Sequence, residues 1–187
     1  MVGICFFTAE AGFCEQVADK QKTKNENNVV ISGPLFEVQK GSINVSVQEL
    51  KYYGGQKFNI TFVWNIVDPL ENDYTVFAHF FSYEHGNADS EYVMFQRDYE
   101  PKIPTSSWKP KNPVVDGPFT IDIPSKCGPG VYYIGIGLYN EAGRFGDISG
   151  QKDGKMRAII GRLVLRGTPG KITDVKFMPI LTTKETK

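Results

Sequence analysis

From residue 29 to residue 166 the sequence is a succession of short β-type runs, each closed by glycine, proline or polar turn residues, and no ten-residue stretch among them carries a helical period. That feature constrains the fold more than any other. A half-apolar sheet must bury its apolar face, and without helices the only cover available is a second sheet. The expectation is an all-β chain forming a two-sheet antiparallel β-sandwich of the immunoglobulin-like or jelly-roll-like kind. The predicted strands cover residues 29–32, 35–39, 43–53, 57–67, 74–83 and 91–98, arranged as a meander, and then 114–123, 131–139, 144–149 and 156–166. Gly54-Gly55 supplies the positive φ values of a hairpin turn, and Asp68-Pro69 with Glu71-Asn72-Asp73 makes a polar loop.

Two segments carry more specific information. Residues 99–113 hold four prolines around Trp108, too many to pair inside a sheet, so this stretch is expected to cross between sheets as an ordered loop. In the run 131–139, Gly135 and Gly137 leave one face almost bare, and the strand is expected to be central. An aromatic share of 13% with 19 Gly and 11 Pro suits such an architecture, because rings pack on pleated surfaces while Gly and Pro turn corners.

The ends read differently. Residues 1–18 resemble the tail of a secretory signal: Val2 to Phe7 is apolar, and Ala9-Glu10-Ala11 has the small-x-small form of a cleavage site. Residues 19–28 are a polar linker, residues 29–168 the sandwich domain, and residues 169–187 a loose tail. Secretion or a place in the cell envelope is therefore expected, with no membrane insertion of the mature domain, since the apolar leader is too short to span a bilayer. Cys5, Cys14 and Cys127 form no Cys-x-x-Cys pair, and Cys127 is expected as a buried thiol.

Lys and Arg together number 21, as do Asp and Glu, so no long-range field exists to gather nucleic acid. Partners must be recognised locally, as a glycan or as another domain or protein.

Four motifs in order, Tyr74-Thr75-Val76-Phe77-Ala78-His79-Phe80, Phe95-Gln96-Arg97-Asp98, Pro104-Thr105-Ser106-Ser107-Trp108-Lys109-Pro110 and Gly128-Pro129-Gly130-Val131-Tyr132-Tyr133-Ile134-Gly135-Ile136-Gly137-Leu138-Tyr139, give the chain a resemblance to a family. It resembles the β-sandwich domains of bacterial surface and envelope proteins, commonly called carbohydrate-binding-like or immunoglobulin-like, over about residues 51–165. The resemblance implies an accessory module of the sort attached to glycosyltransferases and secreted carbohydrate-active proteins. The stretch 82–92 makes a longer connection than the family pattern has.

Chemistry-bearing residues are sparse. Strand alternation sets Val76, Ala78 and Phe80 on one face and Phe77, His79 and Phe81 on the other, so His79 reads as a hydrogen-bonded core histidine, and His85 as solvated. The candidate ligand-binding residues are Trp108, Asp98, Gln96, Tyr99 and Arg144. Two readings stay open for them. Trp108 is either a buried plug beneath the proline loop, or an exposed platform beside Tyr99 on which a pyranose stacks while Asp98 and Gln96 bond its hydroxyls. Arg144 pairs with a sheet-end carboxylate or reaches into a loop-built site.

No catalytic residue is assigned, because no carboxylate pair, nucleophile elbow or activated thiol is visible. No cofactor is expected, and no metal site through the histidines; loop oxygens of Asp68, Glu71 and Asp73 are the remaining candidates for calcium. The sequons at Asn44 and Asn59 lie in strands and read as chance.

Overall fold

A computed structural model describes residues 37–83 and 92–180 of the chain. The leader, the linker, the expected strand 29–32, Cys5, Cys14, His85 and most of the long connection 82–92 lie outside the described residues. No helix among the described residues is long and apolar enough to cross a membrane.

The described chain forms eleven strands in two antiparallel sheets, as the run of short strands predicts. The smaller sheet joins β2 (Ile43–Tyr52), β3 (Lys57–Ile66) and β6 (Val114–Asp122), in the order β2-β3-β6. The larger contains β1 (Glu37–Gln39), β4 (Thr75–Ser82), β5 (Tyr92–Tyr99), β7 (Gly130–Asn140), β8 (Gly143–Phe145), β9 (Gly150–Lys152), β10 (Ala158–Thr168) and β11 (Lys171–Pro179). Its spine runs β1-β9-β10-β7-β4-β5, with β11 also pairing with β10 and β8 with β7.

β3 shows why these residues form strands. Phe58, Ile60, Phe62, Trp64 and Ile66 alternate inward and are buried, while Lys57 and Asn65 stay exposed on the other face. These side chains meet Val76, Ala78 and Phe80 of β4, Ile134, Ile136 and Leu138 of β7, and Leu163 and Leu165 of β10 in a single core between the layers. Rings interlock within it, Phe58 edge-on to Phe80 at 5.8 Å and Phe80 stacked on Phe95 at 4.6 Å.

β7 is central, flanked by β4 on one side and by β10 and then β8 on the other. Both its faces are covered, and the two glycines explain how. A Cβ on Gly135 would lie 2.8 Å from Cδ and 2.9 Å from Nε of Arg157, and one on Gly137 would run into the Phe77 ring. The bare stripe is thus a trough filled by two large side chains.

Three expectations about the fold change. The first half is not a meander: β2–β3 and β4–β5 are separate hairpins in different sheets, so the Asp68 to Asp73 loop carries the chain across the sandwich. Residues 171–179, expected within a loose tail, form β11 against β10. The expected edge 144–149 is only β8, followed by a parallel bridge from Ile148, in the connection between β8 and β9, to Ile43 of β2. The crossover from β5 to β6 occurs where the prolines place it, with one 3-10 turn at Thr105–Ser107.

Candidate functional site

The five candidate residues do not converge. Asp98 and Gln96 stand opposite Phe77 and His79 in the β4–β5 ladder, and therefore on the outer face of the larger sheet. Tyr99, one residue on from Asp98, faces the other way. Its ring lies 4.1 Å from Phe119 of the smaller sheet.

Trp108 is the clearest result. Its indole is 1% exposed, sits 5.4 Å from the Trp64 ring, and donates from Nε1 to the Ile103 carbonyl at 3.0 Å. Of the two readings, the plug describes it. The loop above is fixed by Thr105, which is fully buried: its Oγ1 donates to the Asn72 carbonyl at 3.0 Å and accepts from the Tyr74 amide at 2.9 Å. Trp108 and Tyr99 as a surface platform beside Asp98 is accordingly corrected, because alternation puts Tyr99 and Asp98 on opposite faces and the loop drives Trp108 into the core.

Near Tyr99, three polar atoms are buried without a hydrogen-bond partner: Tyr99 Oη, Trp64 Nε1 and Asp116 Oδ2. Burial drives the Tyr99 phenol well above its ordinary range, and the Asp116 charge adds to that. Burial likewise raises the Asp116 carboxyl above its ordinary 3.8, with Tyr99 and Lys102 pulling the other way. Tyr99 and Asp116 lie close enough for each to shift the other's titration.

On the outer face, residues missing from the candidate set do most of the organising. Arg157 is 1% exposed, lies over the Phe81 ring at 4.0 Å, and pairs with Asp153, whose Oδ2 also accepts from its Nε at 2.9 Å. Its Nη1 is 3.2 Å from His79 Nδ1. A guanidinium can only donate, so His79 accepts there as a neutral ring with its proton on Nε2. This agrees with His79 as a hydrogen-bonded structural residue. Phe81, Tyr133 and Ile159 form a second apolar cluster on this face, with Tyr83 and Ile180 against it.

Arg144 is exposed, stacks over Phe77 at 4.6 Å and donates from Nη1 to the Lys155 carbonyl at 2.9 Å. Partial burial raises the Asp98 carboxyl, and the Arg144 charge opposes the shift. Asp98, Gln96 and Arg144 thus share a face, while Trp108 and Tyr99 do not. Arg157 left no mark in the sequence by period or motif. The only hint was the Gly135-Ile136-Gly137 trough, which demands a filler without naming it.

At the end of this sheet lies a cleft of about 440 Å³, lined among others by Tyr74, Tyr139, Asn140, Glu100 and Glu141. Asp68, Glu71 and Asp73, the loop acids left as candidates for calcium, do not come together: no group of three His, Cys, Asp or Glu side chains among the described residues is placed to hold a metal ion. Asp73 instead accepts from the Ser106 amide at 3.0 Å, and hydrogen bonding to Ser106 holds its carboxyl below the usual range. Cys127 is a buried free thiol, and burial pushes its pKa up, which suits the inert role expected of it.

The two-sheet architecture implied by the resemblance is present. Comparison with known proteins returns no matching family model, no matching curated sequence and no matching solved structure.

Proposed function

We propose that the chain is a non-catalytic accessory module of a secreted or cell-surface protein, and that it works by docking to a partner protein or domain. One observation carries the choice of mode: the Trp108 indole is 1% exposed and packed on Trp64, so the aromatic platform that sugar binding would use is committed to the core. The remaining candidates support the same reading. Asp98, Gln96 and Arg144 lie on a broad sheet surface beside β5, which among the described residues pairs with β4 alone and stands at the end of the sheet. Such surfaces and edges serve protein contacts well, through side-chain pairs and strand addition. The accessory role and the extracytoplasmic setting rest on the motif resemblance and the leader-like residues 1–18.

Carbohydrate binding is the competing mode. A glycan-array screen followed by titration of intrinsic fluorescence separates the two. A flat response across the array is expected. Saturable binding of any glycan would overturn the docking mode, and loss of that binding in Gln96→Ala or Asp98→Ala would locate the sugar on the outer face.

A further inference from the structure

The cleft at the end of the larger sheet has a chemistry that the docking reading leaves unassigned. Its walls are two half-buried tyrosines, Tyr74 packed on Phe145 at 5.3 Å and Tyr139 on Phe77 at 6.1 Å. Around them stand Asp73, Glu100 and Glu141, all exposed, with Asn140 as a neutral polar group. No lysine or arginine among the described residues lines the cleft, although the chain as a whole carries as many basic as acidic residues. Its floor is rigid, because buried Thr105 clamps the 72–74 loop to the proline crossover.

We propose that this cleft receives a cationic side chain, lysine or arginine, from a basic segment of the partner protein. Electron-rich ring faces attract a cation that lies over them, and flanking carboxylates supply the countercharge. A metal ion is a poor guest, since the three carboxylates do not converge on one point. An organic cation needs no such convergence. Its alkyl stem lies along the tyrosines while its charged head reaches the acids at the rim. The inference rests on the docking reading, for which it names the partner's chemistry.

The test uses an oligolysine peptide as probe, with an oligonorleucine-containing peptide of equal length, kept soluble by serines, as the neutral control. Binding is followed by amide chemical shifts of the intact chain. The expected result is a saturable shift confined to Tyr74, Tyr139, Asn140, Glu141 and their neighbours, weakening as salt is raised. Glu100→Gln with Glu141→Gln should weaken binding by about threefold or more, since each removes an exposed charge facing the guest. Tyr139→Leu, which keeps the apolar bulk, should also weaken it. No saturable shift, equal shifts from the neutral peptide, shifts spread over unrelated acidic residues, or indifference to the glutamine pair would each overturn the inference. None of those results touches the docking reading, which stands or falls on the glycan screen.

Discussion

The two outer faces of the sandwich are built on opposite terms. On the smaller sheet, Lys57 pairs with Asp122 at 2.9 Å and Lys51 with Glu49 at 2.7 Å, with all four side chains at least half exposed, and Asn44, Ser46 and Asn65 stand in solvent around them. On the larger sheet the ion pair is Arg157 with Asp153, at 1% and 5% side-chain exposure, pressed onto Phe81 and His79. The same kind of charge pair is therefore incidental on one face and structural on the other. What differs is the strand beneath: glycines at 135 and 137 make room for side chains to lie on the larger sheet, whereas the one glycine in a described strand of the smaller sheet, Gly117, is approached only by neighbouring backbone.

Substitutions should break this symmetry of composition into an asymmetry of effect. Arg157→Ala leaves Asp153 buried without its main countercharge, and should cost about 3 kcal/mol or more in urea unfolding. A cost below that of an ordinary surface change would mean that the loop does not lie on the sheet. Gly137→Ala puts a methyl group where the Phe77 ring sits, and should cost about 1–3 kcal/mol through overpacking. If the loss is that large, Arg144 should also move, because it rests on the same ring.

Asp116 sharpens the comparison from inside. It is 6% exposed on the inner side of the smaller sheet, where its register partner is Phe62, so a charge tolerated on that sheet's outside is penalised here. Because its native pKa lies above 3.8, the folded state holds a proton that the unfolded chain releases. Its stabilising contribution is complete below pH 3.8 and is lost as pH rises through the native value. Asp116→Asn should flatten that part of the stability profile, measured by denaturant unfolding across pH; an unchanged slope would contradict it. Lys57→Ala marks the small end of the scale, at no more than about 0.5 kcal/mol.

How much of this was legible follows from periodicity. β3 and β6 were found to within a residue or two, β6 despite a register shift between Asp116 and Phe119, and the alternation of β4 assigned both of its faces correctly. β11 escaped notice because the register shifts between Arg166 and Gly167, so its buried residues fall at Ile172 and Val175, a spacing of three that is not a strand period. β9 offers only Gly150, Gln151 and Lys152, with no apolar residue to betray it. A loop between two alternating runs looks the same whether it turns a hairpin or crosses the sandwich, which is why the first half read as a meander. For the site, spacing placed Gln96 and Asp98 on one face but says nothing of a loop side chain. The inward turn of Trp108 and the return of Arg157 are tertiary facts.

The central claim is that Trp108 plugs the core instead of serving the surface. The chain has two tryptophans, Trp64 and Trp108, both buried and in contact, so its fluorescence reports on that claim directly. Acrylamide quenching of the native protein should find blue-shifted emission with both indoles protected, becoming accessible only on unfolding. Red-shifted native emission in which half the signal is quenched as in a free peptide would put Trp108 in solvent and contradict the account.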